Sequence, residues 1–116
     1  QRQMCIRDSL TTVPFAPGMV TSDEPGLYVT DKYGIRCENM ILTVVDRETE
    51  FGRFLRFDTV TLFPFDINLI EISMLNDDEV KWINEYHKKV YDSLAPSLNE
   101  KETAWLAAKT QPISRK

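Results

Sequence analysis

The sequence predicts an α+β fold, with antiparallel strands first and helices after them. Three observations carry that prediction. Residues 19–61 hold apolar-rich strand candidates separated by turn-prone stretches. Residues 77–109 instead repeat apolar positions at helical spacing, behind an asparagine, Asn76, suited to capping. The strand candidates precede the helical ones rather than interleaving with them. At 116 residues the chain makes one domain, or a piece of one.

Residues 1–8 (QRQMCIRD) show neither periodicity nor turn chemistry and read as a non-native or disordered start, such as translated adapter, excluded from the fold. A genuine frayed terminus is the alternative. Residues 9–17 form an extended approach, because Pro14 and Pro17 forbid a helix. Pro17-Gly18 marks a turn. A strand over 19–23 leads to Glu24, whose backbone Pro25 pushes into the β region. Gly26 is expected to take positive φ and lead the chain out of the strand.

Residues 27–30 are β-prone, 31–34 read as a turn, and 35–45 form the longest strand candidate. Glu24 and Glu38 lie symmetrically about Asp31, so a simple antiparallel register makes them face each other. Such a pair has Cβ atoms roughly 5 Å apart. Two like charges there repel unless a cation sits between them, the geometry of a carboxylate-bridged metal site. Along 35–45 both faces are largely apolar, as for a strand buried on both sides. A buried Glu38 then needs compensation. Arg36, two residues away on the same face, is a candidate supporting partner. Spacing alone leaves two readings open, metal ligation or a Glu38–Arg36 ion pair without metal, since two carboxylates do not complete a coordination sphere.

Residues 46–52 read as a polar turn, and 51–61 resume β patterning. In 62–70, Phe63 and Phe65 read as packing anchors rather than substrate contacts. Asn76 caps a helix, with Glu79 completing a capping-box pattern. Acidic residues 77–79 suit the positive end of the helix dipole, with Lys88 and Lys89 toward the other end. Val80, Ile83, Val90 and Leu94 line one face, with Trp82 and Tyr86 beside it, and Pro96 ends the run. A second helix begins near Ser97 or Asn99 and ends near Lys109, with Trp105 and Leu106 inward; Pro112 terminates it. His87, the only histidine, has no ligand cluster at metal spacing and reads as structural or surface. Trp82, Tyr86 and Trp105 are core or interface residues; an exposed cluster of them would mark a docking surface.

The formal charge of −4 and pI near 5.0 argue against nucleic-acid binding. No apolar run approaches the ~18 residues of a membrane span, and no signal peptide is read at the start. Cys5 and Cys37 are far apart and outside any CxxC spacing, so a disulfide framework is not expected. Cys37 is expected to pack as a small apolar side chain. The compartment this implies is reducing, the cytosol.

The run P-G-M-V-T-S-D-E-P-G-L-Y, followed by G-I-R-C-E-N, resembles the end of the pita-bread metallopeptidase domain. Within the M24 family the likeness is to aminopeptidase P, also called Xaa-Pro aminopeptidase. Prolidase and methionine aminopeptidase share the fold and the paired glutamates. The tail motifs L-F-P-F-D-I-N-L-I, W-I-N-E-Y-H and W-L-A-A-K-T-Q-P-I favour the long form of aminopeptidase P. The resemblance implies that residues 9–62 are the C-terminal part of the catalytic domain and 63–116 a helical C-terminal extension.

It further implies that Glu24 is a terminal metal ligand that also handles a proton, and that Glu38 bridges two divalent metal ions, usually Mn²⁺. Arg36 falls where the family has a supporting arginine. The implied substrate is a peptide with an Xaa-Pro N-terminus, the implied assembly a homodimer, and neither nucleic acid nor membrane is a partner. The family's two aspartates and histidine that complete the metal site lie upstream of the matched region. The isolated chain is therefore expected to be inactive. A short association module using the tail helices and a prolidase-like dipeptidase fragment are the competing readings.

Overall fold

The computed structural model describes residues 12–115, so the reading of residues 1–8, Cys5 included, falls outside it. The chain divides into two compact units between Thr61 and Leu62.

The first unit is built of antiparallel strands: β1 (Val20–Asp23), β2 (Gly26–Val29), β3 (Tyr33–Arg36), β4 (Asn39–Thr49) and β5 (Gly52–Thr59). They form a three-stranded sheet ordered β1-β4-β5 and a two-stranded ladder β2-β3. The two ladders share one register. Val20↔Leu42 through Asp23↔Asn39 and Gly26↔Arg36 through Val29↔Tyr33 are successive rungs of a single hairpin. The interruption falls at Pro25 and Cys37. Cys37 N–H donates to the Pro25 carbonyl at 3.1 Å, but proline has no N–H to return the bond.

Several local expectations change. The hairpin turn covers 30–32, and Tyr33 and Gly34 belong to β3. Asp31 carries the positive φ, 58°, a left-handed conformation aspartate tolerates. Gly26 does not: it is paired with Arg36, and the positive-φ glycines among the described residues are Gly18 and Gly52. β4 runs through the stretch expected to be a polar turn, with a register shift between Val45 and Arg47. The chain reverses at 50–51, where Gly52 at φ 120° closes the hairpin against Thr49.

β4 is not buried on both faces. Thr43 is the one fully buried residue of this unit among those described, whereas Met40, Val45, Phe54 and Phe57 are exposed. An apolar strand pattern demands cover, and among the described residues of this unit no second layer supplies it. Cys37 is likewise exposed rather than packed.

The second unit is helical. Two short 3₁₀ turns, Ile67–Leu69 and Ile72–Met74, lead into α1 (Asp77–Leu94). A 3₁₀ turn at Ala95–Ser97, with Pro96 inside it, precedes α2 (Glu100–Lys109). Both α-helices open on complete capping boxes. The Asn76 side chain accepts from Glu79 N–H at 2.9 Å, and Glu79 accepts from Asn76 N–H at 2.8 Å. Asn99 and Glu102 repeat this at 3.0 and 3.1 Å. Each reciprocal pair satisfies two amides that a helix start leaves open.

The core of this unit joins Tyr86, Val90 and Leu106, flanked by Leu62, Phe65, Tyr91, Leu94 and Leu98. Ile83 and Ile113 are buried as well. The incoming segment is pinned to α1 by two side chains. The Tyr86 hydroxyl donates to the Phe63 carbonyl at 2.9 Å, and Phe65 N–H donates to His87 Nε2 at 3.1 Å. The outgoing segment is held by Asn84, which exchanges two hydrogen bonds with the Ile113 backbone at 2.8 and 2.9 Å. Trp105 is half exposed rather than inward, as is Trp82; Leu106 takes the core position. Lys88 and Lys89 sit short of the last turn of α1, which carries no basic residue.

Candidate functional site

Both ladders of the hairpin, extended by one or two rungs, place Glu24 opposite Glu38. Hydrogen-bonded and non-hydrogen-bonded pairs alternate along an antiparallel ladder. Because Pro25–Cys37 is a bonded rung, Glu24–Glu38 takes the closer, non-bonded kind, with side chains on the same face. The glutamates therefore stand at the break in the ladder, and the proline that causes the break adjoins one of them.

The same face carries a row of polar side chains. Period two puts Ser22, Glu24, Gly26 and Tyr28 on one strand of it, against Gly34, Arg36 and Glu38 on the other. Ser22 Oγ donates to Glu24 Oε1 at 2.7 Å. Arg36 reaches both carboxylates, Glu38 Oε2 at 3.0 Å and Glu24 Oε2 at 3.8 Å. Tyr28 lies over the two glycines: a Cβ at Gly34 would meet its Cδ1 at 2.6 Å, and one at Gly26 its hydroxyl at 2.7 Å. Glycine at both positions leaves the ring room to lie across the strands toward Arg36. The Arg36 pKa is raised, first by its hydrogen bond to Tyr28, against a desolvation cost, and further by Glu38 and Glu24.

Glu24 is the more enclosed carboxylate, its side chain 20% exposed against 43% for Glu38. Glu38 is thus not the buried charge the strand pattern suggested, and the Glu38–Arg36 ion pair is present. Each carboxylate keeps coordinating capacity beyond these contacts, since a carboxylate offers about four lone pairs. The pair fits a hard divalent cation by donor chemistry, as part of a larger ligand set. Among the described residues, no group of three or more His, Cys, Asp or Glu side chains is placed to hold a metal ion. His87 belongs to the helical unit and is fully buried. Its burial lowers its pKa, and Nε2 is committed to Phe65.

Ser22 and Tyr28 are the contributors the sequence reading missed. The serine two residues before Glu24 was a usable signal, because strand neighbours at i and i+2 share a face. Glycines both two residues before Tyr28 and across from it were a second, visible once the register is drawn.

An antiparallel sheet followed by a two-helix unit is the architecture of the C-terminal part of a pita-bread fold. Residues 53–113 match the family described as the C-terminal region of peptidase M24, and the chain belongs to that family. It is 40% identical to Aminopeptidase P1 of Arabidopsis thaliana, over 97% of this chain and 18% of that protein. It is 44% identical to the probable Xaa-Pro aminopeptidase P of Aspergillus flavus, over 94% of this chain and 17% of the other. A solved structure of X-prolyl aminopeptidase from Caenorhabditis elegans, described as a cytosolic enzyme with a di-nuclear active site, superposes with a TM-score of 0.75. That match has 33% identity and covers 85% of this chain and 17% of the other. The chain spans less than a fifth of the length of these relatives.

Proposed function

We propose that this chain is the C-terminal portion of a dinuclear metal-dependent aminopeptidase that removes the residue preceding a proline from peptide N-termini. The supporting observation is the opposition of Glu24 and Glu38 at the break in the hairpin, in a chain of the M24 family. Glu24 and Glu38 would hold the metal ions, Glu24 as terminal ligand and proton handler and Glu38 as the shared carboxylate, with Arg36 placed to orient both. Two divalent ions, Mn²⁺ by donor hardness and family habit, supply Lewis acidity toward the scissile carbonyl and a more acidic water.

Two carboxylates are part of such a site. The remaining ligands, two aspartates and a histidine, come from other parts of a longer polypeptide, whose strands and helices also cover the open faces of β1, β4 and β5. On this reading 9–62 is catalytic-domain sequence and 63–116 its helical extension, the enzyme works in the cytosol as a homodimer, and the isolated chain does not cleave peptides. The names of the relatives favour aminopeptidase P over prolidase. A non-catalytic association module retains one supporting observation, the half-exposed Trp82 and Trp105.

The test is hydrolysis of an Xaa-Pro-headed peptide by the full-length polypeptide carrying this segment. Glu24→Ala and Glu38→Ala are each expected to lower kcat/KM by more than about 100-fold, beyond the usual effect of outer-sphere partners. Undiminished hydrolysis in either variant would contradict the assignment.

A further inference from the structure

We propose that Ser22 is a positioning residue that sets the orientation of the Glu24 carboxylate toward a metal pair, an inference that rests on the function proposed above. The geometry is local and specific. Ser22 and Glu24 are successive same-face residues at the end of β1, and Ser22 stands opposite Met40 in the β1–β4 ladder. The 2.7 Å contact has one polarity only, because an ionised carboxylate accepts and the serine hydroxyl must donate. Occupying Oε1 from the β1 side leaves Oε2 as the oxygen on the side of Arg36, 3.8 Å away. Glu38, between β3 and β4, pairs with Arg36 through Oε2.

The two carboxylates are therefore held differently. Glu38 is held by the Arg36 cation at 3.0 Å, whereas Glu24, 3.8 Å from the same cation, also accepts from a neutral hydroxyl that adds no charge to compete with a metal. A glutamate left free about its three side-chain torsions presents its oxygens in many directions; one short hydrogen bond in a half-buried site removes most of that freedom. Ser22 touches no reacting atom itself and works through Glu24.

The experiment compares Ser22→Thr, Ser22→Val and Ser22→Ala in the full-length polypeptide. Threonine and valine have nearly the same shape and both suit a strand, so they differ at this site by the hydroxyl alone. Mn²⁺ binding is read by calorimetric titration, and pairing of the ions by the exchange-coupled electron paramagnetic resonance spectrum. Ser22→Val and Ser22→Ala are expected to bind one of the two ions about 10- to 100-fold more weakly and to lose the coupled spectrum at sub-saturating metal. Ser22→Thr is expected to retain both. Wild-type affinity and coupling in Ser22→Val, or a Ser22→Thr variant as impaired as Ser22→Val, would overturn the positioning role. Failure of the unsubstituted polypeptide to bind an ion pair would instead overturn the function on which it rests.

Discussion

The strand unit and the helical unit of this chain divide chemistry from packing. The strand unit carries the opposed glutamates, Arg36, Ser22 and Tyr28, yet buries fully only Thr43 among its described residues. The helical unit buries Ile83, Tyr86, His87, Val90, Leu106 and Ile113, and its capping boxes and side-chain pins close it locally. A site needs only rungs in the right register, which a hairpin supplies from local sequence. A core needs layers, and the sheet has one layer here. Among the described residues, the unit with the candidate ligands leaves its sheet largely exposed, and the unit with a buried core carries none of them.

That contrast can be broken by mutation. Both tryptophans, Trp82 and Trp105, lie in the helical unit, so their fluorescence during denaturation reports on it. Leu106→Ala is expected to destabilise that unit by about 2–5 kcal/mol, the range for a buried leucine. Leu42→Ala, at a half-buried position in β4, is expected to cost clearly less by far-UV circular dichroism; an equal cost would erase the distinction. Tyr86→Phe removes the hydroxyl that holds the Phe63 carbonyl and is expected to cost about 1–3 kcal/mol in urea denaturation. Asn76→Ala, which removes one capping box, is expected to cost about 1 kcal/mol in the same experiment.

The smallest effect expected is a slope with pH. Burial lowers the His87 pKa below its ordinary 6.5, so the unfolded chain takes up this proton before the folded one does. The stability this neutral imidazole contributes is full above that value. It falls as pH drops below about 6.5 toward the folded-state pKa. His87→Gln, whose amide oxygen can still accept from Phe65 N–H, is expected to flatten the pH dependence of the melting temperature of the helical unit over that interval. An unchanged slope would show that His87 does not titrate this way.

Much of this division is legible in the sequence, for local reasons. Asn76 announces the first helix start because capping chemistry is decided within four residues, whereas the second start is legible only to Ser97 or Asn99. The symmetry of Glu24 and Glu38 about Asp31 gives the hairpin register, and Asp31 is where the backbone turns left-handed. What escapes is tertiary. Whether β4 is covered, whether Trp105 or Leu106 fills the core, and whether Cys37 packs depend on partners that periodicity does not name. The Tyr28 contact is an intermediate case: Gly26 looks like a turn former, and only the register shows that its missing side chain makes room for the tyrosine ring.

The most direct measurement is a titration of this chain with Mn²⁺, followed by calorimetry and by the shift in melting temperature. A chain that supplies two carboxylates of a larger ligand set is expected to show no saturable binding at micromolar metal and no appreciable stabilisation. A saturable, micromolar transition abolished by Glu24→Ala would show that the hairpin holds metal unaided and would contradict the account of a shared site.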